Sequence, residues 1–347
     1  MDRTERAEHR LIRFPEWVLR GVGQVVFQNN PVTGFVILAA ILFNSWIYCV
    51  TCLLGAAVST VTALVLRADR ALVASGLFGF NGALVGLALV AFTSADFRTG
   101  AVPSAHMVAY IVCAAAMTSV VYSALGVLLR PYRVAALTMP FVLVGWLFLF
   151  AVLEFANIEG GPLAKPVSPE EYEAVTRYVL PTWYMGIGNA IGQIFFQDNW
   201  ITGYLIILAI AVNSRISAAM ALLGAVLAAG VAALFGGAEG ALRDGLFGYN
   251  AALTAIALGG FFLALTWSSF LYTLFGVVVT TWVWASVAIF LGPIHMPVLT
   301  SAFVLVTWLM LLAAPGFAGL VPIAPPEATK PEDHRRRLRA ERELRQA

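Results

Sequence analysis

Of the 347 residues, 60% are hydrophobic and 12% charged, and the mean hydropathy is +0.85. A chain this apolar cannot cover itself with a water-facing surface of ordinary composition, which excludes a soluble globular or nucleic-acid-binding protein and points to a lipid bilayer. The formal net charge of +2 names no partner, so the placement of the charges matters more than their sum.

The predicted class is an all-α polytopic membrane protein, because a hydrocarbon core needs roughly 20 apolar residues per helix and about ten such runs follow one another. The head, residues 1–14, carries Arg3, Arg6, Arg10 and Arg13 and lacks the apolar core of a signal peptide, so insertion is expected to rely on later helices. Trp17 to Phe27 is too short to cross a bilayer at about 1.5 Å per residue and is predicted as a re-entrant half-helix. Spans are then predicted over Thr33 to Leu53, Leu54 to Leu66 (short for a crossing), Leu72 to Phe92, Met107 to Leu129 and Pro140 to Phe155. A polar, proline-rich interval, Glu159 to Arg177, separates this membrane repeat (15–157) from a second one (181–320), with 158–180 as the linker. The second repeat opens on another short stretch, Pro181 to Phe196. Its spans are Ile201 to Met220, Ala221 to Phe235, Leu246 to Leu265, Phe270 to Leu291 and Val298 to Ala314. The basic tail is 321–347; within it Lys330 to Arg345 is expected to be exposed and helical, with Arg335 to Arg345 solvated in the cytoplasm or facing lipid headgroups. Cys49, Cys52 and Cys113 lie in apolar runs and are expected to pack, without a redox or metal role.

The repeat can be read by numbering. Adding 169 carries Gln24, Phe27, Gln28 and Thr33-Gly34 onto Gln193, Phe196, Gln197 and Thr202-Gly203. The same shift carries Leu77-Phe-Gly-Phe-Asn81 onto Leu246-Phe-Gly-Tyr-Asn250. After a shortening of seven residues, adding 162 carries Arg130-Pro131, Leu137-Thr138, Phe141 and Trp146 onto Gly292-Pro293, Leu299-Thr300, Phe303 and Trp308. With five spans and one half-helix per repeat, the second repeat enters the membrane from the opposite side, an inverted repeat surrounding a central pore. With both termini in the cytoplasm, only Arg98, Lys165, Arg177 and Arg243 of the 21 Lys and Arg residues lie outside, as the positive-inside rule requires.

Three duplicated motifs could carry chemistry. Asn29-Asn-Pro31 and Gln197-Asp-Asn199 end the short helices and should leave backbone carbonyls without helical partners, tolerated at membrane depth only inside protein or beside a polar cavity. Thr138-Met-Pro140 reads as a helix start with Thr138 as N-cap, and Thr300 is its twin. Phe27 with Phe80, and Phe196 with Tyr249, can form two flat aromatic slots, or the same residues pack helices tightly; duplication does not choose, since packing repeats as well.

Taken together, Gln-x-x-Phe-Gln-(Asn/Asp)-Asn, Leu-Phe-Gly-(Phe/Tyr)-Asn and Leu-Thr-x-(Pro)-Phe, each written twice between Pro15 and Ala314, resemble the urea transporter family. The resemblance implies a homotrimer in the cell membrane whose protomers each conduct urea passively, without cofactor or metal. It implies one slot walled by Val25, Phe27, Phe80 and Leu84 and another by Ile194, Phe196, Tyr249 and Leu253. Gln24 and Gln193 would stand at the slot edges, and Thr138 and Thr300 at the central constriction. Two positions depart from the family pattern: Gln193 replaces a frequent carboxylate, and Tyr249 a second phenylalanine, adding a hydroxyl that could change the range of amides admitted.

Rival readings find less support. An ammonium channel would pair histidines, and His106 and His295 are not repeat partners; an aquaporin would pair Asn-Pro-Ala starts, and Asn30-Pro31-Val32 has no twin. Ion coupling would use intramembrane carboxylates, and Glu154 and Asp198 lie near predicted helix ends. A membrane-embedded enzyme acting on a small amide or lipid would need a nucleophile with its base, and Ser45 and Ser214 lack a neighbouring His or Lys in the sequence.

Overall fold

The computed structural model describes residues 3–97, 100–155, 157–158 and 177–346; residues 159–176 of the predicted linker lie outside them, as do Arg98 and Lys165 of the charge count. The chain forms two compact units, Met1–Ala124 with Leu143–Ala164, and Leu125–Val142 with Lys165–Ala347. Its first half contributes α1 (Arg3–Gln24), α2 (Pro31–Asn44), α3 (Trp46–Val65), α4 (Arg70–Ala74), α5 (Gly79–Thr93), α6 (Ala105–Leu129) and α7 (Met139–Ala151). The second half contributes α8 (Leu180–Gly192), α9 (Trp200–Asn213), α10 (Arg215–Leu234), α11 (Glu239–Arg243), α12 (Tyr249–Ile256), α13 (Trp267–Leu291), α14 (Ser301–Ala313) and α15 (Pro331–Gln346).

The numerical repeat is also a repeat of backbone geometry. Helices α2 and α9 have 14 residues each, α3 and α10 have 20, α6 and α13 have 25, and α7 and α14 have 13. Left-handed residues recur at the same offsets: Phe27 with Phe196, Arg67 with Gly236, Gly76 with Gly245, Arg133 with His295 and Leu137 with Leu299. Such conformations cost a non-glycine residue about 1–2 kcal/mol, so their recurrence marks a conserved chain path between the two copies and not a chance likeness of apolar composition.

Among the described residues, four helices, α3, α6, α10 and α13, are long and apolar enough to cross a membrane, and α8 with α9 is an apolar pair bent by 70° at the break between them, the geometry of a broken span or a re-entrant loop. Helices α2, α5, α7 and α14 are shorter. This corrects the predicted division of the first two spans in each repeat. The break falls at Ser45 and Ser214, not after Leu53 and Met220. Ser45 is extended (φ −154°, ψ 121°); its N–H closes α2 onto Ile41 O while its hydroxyl accepts the Tyr48 N–H that opens α3. Ser214 does the same for Ile210 and Ser217. One residue thus ends one helix and caps the next without glycine or proline, which an apolar pattern does not register. The full-length helix is therefore the second of the pair, and the short one is the first. The predicted span Leu72 to Phe92 is likewise interrupted, between α4 and α5, where Gly76 turns with φ 77°.

Within unit one α1 packs on α2 and α3 on α5; within unit two α8 packs on α9 and α10 on α12. The approach of α1 to α2 is so close that a Cβ on Gly34 would run into the backbone carbonyl of Leu19, and one on Gly203 into that of Gly188, its repeat partner. Backbone cannot yield as a flexible side chain does. Gly34→Ala is therefore expected to cost about 3 kcal/mol, read as a lowered melting temperature in detergent, whereas Gly126→Ala, which meets open space, should cost nothing. Equal melting temperatures for the two variants would overturn this reading of the α1–α2 contact.

The tail departs from the solvated segment expected of it. Pro331 and His334 are buried, and the stretch before them pairs with the end of the α12 region through Ile323 N–H to Phe262 O (2.8 Å) and Ala264 N–H to Val321 O (2.9 Å). Beyond the docked turn, Arg335, Arg336, Arg337 and Arg339 are exposed as predicted. The three cysteines are free thiols; Cys52 is buried and Cys49 partly so, whereas Cys113, expected to pack, is exposed on this chain.

Candidate functional site

The first candidate residues stand where α1 and α8 stop. After α1, Phe27 N–H donates to Gln24 O (3.0 Å) and Gln28 N–H to Gly23 O (2.9 Å); after α8, Phe196 N–H donates to Gln193 O (3.1 Å) and Gln197 N–H to Gly192 O (3.0 Å). This paired bonding around a left-handed residue is the Schellman termination, usually built on glycine. Here phenylalanine takes the left-handed position twice, at φ 62° and 58°. The strain aims an aromatic ring off the helix end, which glycine could not do.

The broken ends are more locally satisfied than predicted. Gln28 and Gln197 turn their amides back onto Val26 O (2.8 Å) and Phe195 O (2.6 Å). Asn30 and Asn199 use their side-chain oxygens to cap α2 and α9, each accepting two backbone N–H groups. Polar side chains at these positions therefore stitch the interruption together.

Gln24 and Gln193 also behave as twins. Gln24 Nε2–H donates to Ser75 O at 2.9 Å and Gln193 Nε2–H to Asp244 O at 3.2 Å, the acceptors again being repeat partners. Each amide is thus oriented with its Oε1 turned away from the carbonyl it serves. An ionised carboxylate at position 193 has no proton with which to make this bond.

In unit one Phe80 is buried and meets Tyr122 edge-on, with centroids 5.9 Å apart. In unit two the Phe196 ring meets Phe141 at 6.1 Å. Val25, Leu84, Ile194 and Leu253 are fully buried, whereas Phe27, Phe196, Tyr249 and Gln193 retain partial exposure. Gln24 and Phe80 are buried as well.

Thr138 and Thr300 come together. Their hydroxyls lie 2.6 Å apart, and both residues are only 3% exposed. This corrects the expected capping role at Thr300, which precedes α14 but makes no side-chain capping bond; its hydroxyl meets Thr138 instead. The residue before each threonine, Leu137 and Leu299, is left-handed (φ 52° and 51°), which turns the chain sharply just ahead of the hydroxyl.

The urea transporter family model matches residues 15–315 of this chain. The chain belongs to the urea transporter family. It is 33% identical over 309 residues to urea transporter 1 of Rattus norvegicus, covering 87% of this chain and 77% of that protein. It is 29% identical over 326 residues to urea transporter 1 of Ovis aries, covering 93% and 83%. As an integral membrane urea transporter it is not the membrane-embedded enzyme weighed as an alternative.

For a urea transporter, the geometry revises one of the two departures. The Tyr249 hydroxyl, expected as an extra polar group in a slot, is already committed: it donates to Leu299 O at 2.6 Å and accepts from Trp284 Nε1–H at 3.2 Å. Asn250 adds a second donor to Leu299 O (3.0 Å) and accepts from Phe303 N–H (2.9 Å). Sequence reasoning missed Tyr122, Trp284 and Phe141 as neighbours of the site. A signal was present, since Tyr122 and Trp284 are partners under the 162-residue shift.

Proposed function

We propose that the protein conducts urea down its gradient, without coupling to an ion, through a pore in each protomer of a homotrimer. In this reading two inverted-topology repeats, each of five membrane helices and a re-entrant half-helix, surround the pore, with both termini in the cytoplasm. Residues 1–14 form the head, 15–157 and 181–320 the repeats, 158–180 the external linker and 321–347 the cytoplasmic tail. The observation that carries the reading is the twice-built left-handed phenylalanine flanked by a backbone-anchored glutamine, in a chain of this family. Urea is planar and neutral, with four N–H donors and one strong acceptor. A flat slot of Phe27 with Phe80, or of Phe196 with Tyr249, admits its plane, while Gln24 Oε1, Gln193 Oε1 and nearby backbone carbonyls accept its N–H groups as water is stripped away. Val25, Leu84, Ile194 and Leu253 wall the slots, and the Thr138–Thr300 pair forms the central constriction. A hydrated ion would lose far more solvation than such edges return.

The test is stopped-flow urea flux in proteoliposomes of the purified protein. Flux should saturate only at high urea, should not respond to sodium or proton gradients, and should fall about tenfold in Phe27→Ala as the aromatic wall is lost. A strict requirement for either gradient would overturn passive conduction. Conduction of ammonia or water with urea excluded would move the assignment to another small neutral solute.

A further inference from the structure

The second half supports its aromatic wall differently from the first. In unit one the Tyr122 ring of α6 meets Phe78 edge-on (centroids 5.1 Å, 68°) and also Phe80 (5.9 Å, 87°). In unit two its repeat partner, Trp284 of α13, meets Phe247 in nearly the same way (4.9 Å, 67°). Toward the wall residue the chemistry changes. Where unit one sets the phenylalanine Phe80 beside a tyrosine, unit two sets the tyrosine Tyr249 beside a tryptophan, and the ring contact becomes the hydrogen-bonded relay from Trp284 Nε1–H through the Tyr249 hydroxyl to Leu299 O.

The relay fixes a proton as well as a distance. Indole N–H can only donate, so it occupies a lone pair of the phenol and leaves the phenol proton to point at Leu299 O. Asn250 Nδ2–H takes the same carbonyl from α12, so both acceptor positions of one peptide oxygen are engaged by side chains of adjacent residues. That peptide joins the left-handed Leu299 to Thr300, whose hydroxyl meets Thr138. A carbonyl held by one donor can still swing about that contact; held by two, its peptide plane is set, and with it the direction of the Thr300 side chain.

We propose that Tyr249 and Trp284 are a positioning pair that holds the Thr300 hydroxyl in register and thereby sets how narrowly the pore discriminates among small amides. The inference rests on reading Thr138 and Thr300 as the constriction. The departure of residue 249 from phenylalanine is, on this account, a device acting through the backbone and not a new contact with the solute. Trp284, which lies outside the slot, is its second member.

The test compares urea with N-methylurea flux in proteoliposomes for the parent protein, Tyr249→Phe, Trp284→Phe, the double variant and Thr300→Val. The ratio of the two fluxes is independent of how much protein is folded and inserted, so a merely structural loss would not move it. Tyr249→Phe should raise the N-methylurea to urea ratio about fivefold, the scale of one lost hydrogen bond. Trp284→Phe should shift it the same way by less, and adding Trp284→Phe to Tyr249→Phe should change nothing further, since the relay is already cut. An unchanged ratio in Tyr249→Phe, with a changed one in Thr300→Val, would overturn the positioning role and leave the constriction standing. No change in Thr300→Val either would overturn the constriction, and the positioning role with it.

Discussion

Replacing both Thr138 and Thr300 by valine should cut urea flux by about two orders of magnitude while leaving a protein more stable than either single replacement. The two hydroxyls are 2.6 Å apart and both residues are almost fully buried, so each is the other's hydrogen-bond partner. Removing one leaves the survivor buried and unpaired, at a cost of about 1–3 kcal/mol in stability; removing both leaves no orphan and restores much of it. Transport runs in the opposite order. One proton lies between the two oxygens; with the pair as the proposed constriction, the other proton and the remaining lone pairs would meet a solute that has shed its water. Each polar contact denied to urea at that point costs about 1–2 kcal/mol, so one valine should slow passage about tenfold and two about a hundredfold. Melting temperature in detergent and flux in proteoliposomes, measured on the same four proteins, separate the two orders. Full flux in the double variant would remove the threonines from the path.

Much of this arrangement was legible because it is written twice. Gln24 with Gln193, Phe27 with Phe196 and Thr138 with Thr300 were found by a constant shift in numbering, and each pair occupies equivalent backbone. What the backbone does at those positions was not legible. A left-handed residue is signalled by glycine, and Phe27, Phe196, Leu137 and Leu299 give no such cue; only the pairing of Arg67 with Gly236 betrays one member of the set. The helix breaks at Ser45 and Ser214 escaped notice because serine in an apolar run is more often a packed hydroxyl than a double-ended cap. The relay from Trp284 to Leu299 escaped because its members are 35 and 50 residues apart and its two side chains, Trp284 and Tyr249, differ chemically from their counterparts Tyr122 and Phe80 in the first half. Hydropathy reports where helices lie in lipid, and repeats report what is built twice. Neither reports what one copy builds alone.

The docked tail is such a single-copy feature, and it carries an expected pH signature. Glu332 reaches back to the start of α10, where its carboxylate accepts Ile216 N–H (3.0 Å) and the Ser214 hydroxyl (2.8 Å). It thereby caps a helix N-terminus whose first N–H groups have no partner within the helix and whose dipole favours an anion. Two residues on, His334 Nε2 accepts Thr329 N–H (3.0 Å), which leaves Nδ1–H to donate to Gly260 O (2.9 Å) at a residue of φ 128° that Pro331 also covers. Burial raises the Glu332 carboxyl, but the bonds from Ile216 and Ser214 and the nearby Lys330 charge outweigh it and hold the group below the ordinary glutamate range. A carboxylate depressed on folding contributes stability that is fully present above its unfolded value and is lost as pH falls through its folded value. Glu332→Ala should therefore lower stability by about 1–2 kcal/mol at neutral pH, allowing for partial solvent screening, and the gap from the parent should close as the solution is acidified below about pH 4. Glu332→Gln, which retains an oxygen for Ile216 N–H but no charge, should fall between the two at neutral pH. Melting curves across pH 3 to 8 in detergent decide the matter: a gap of constant size would mean that Glu332 serves α10 only by packing, and that the tail is held by His334 and Pro331 alone.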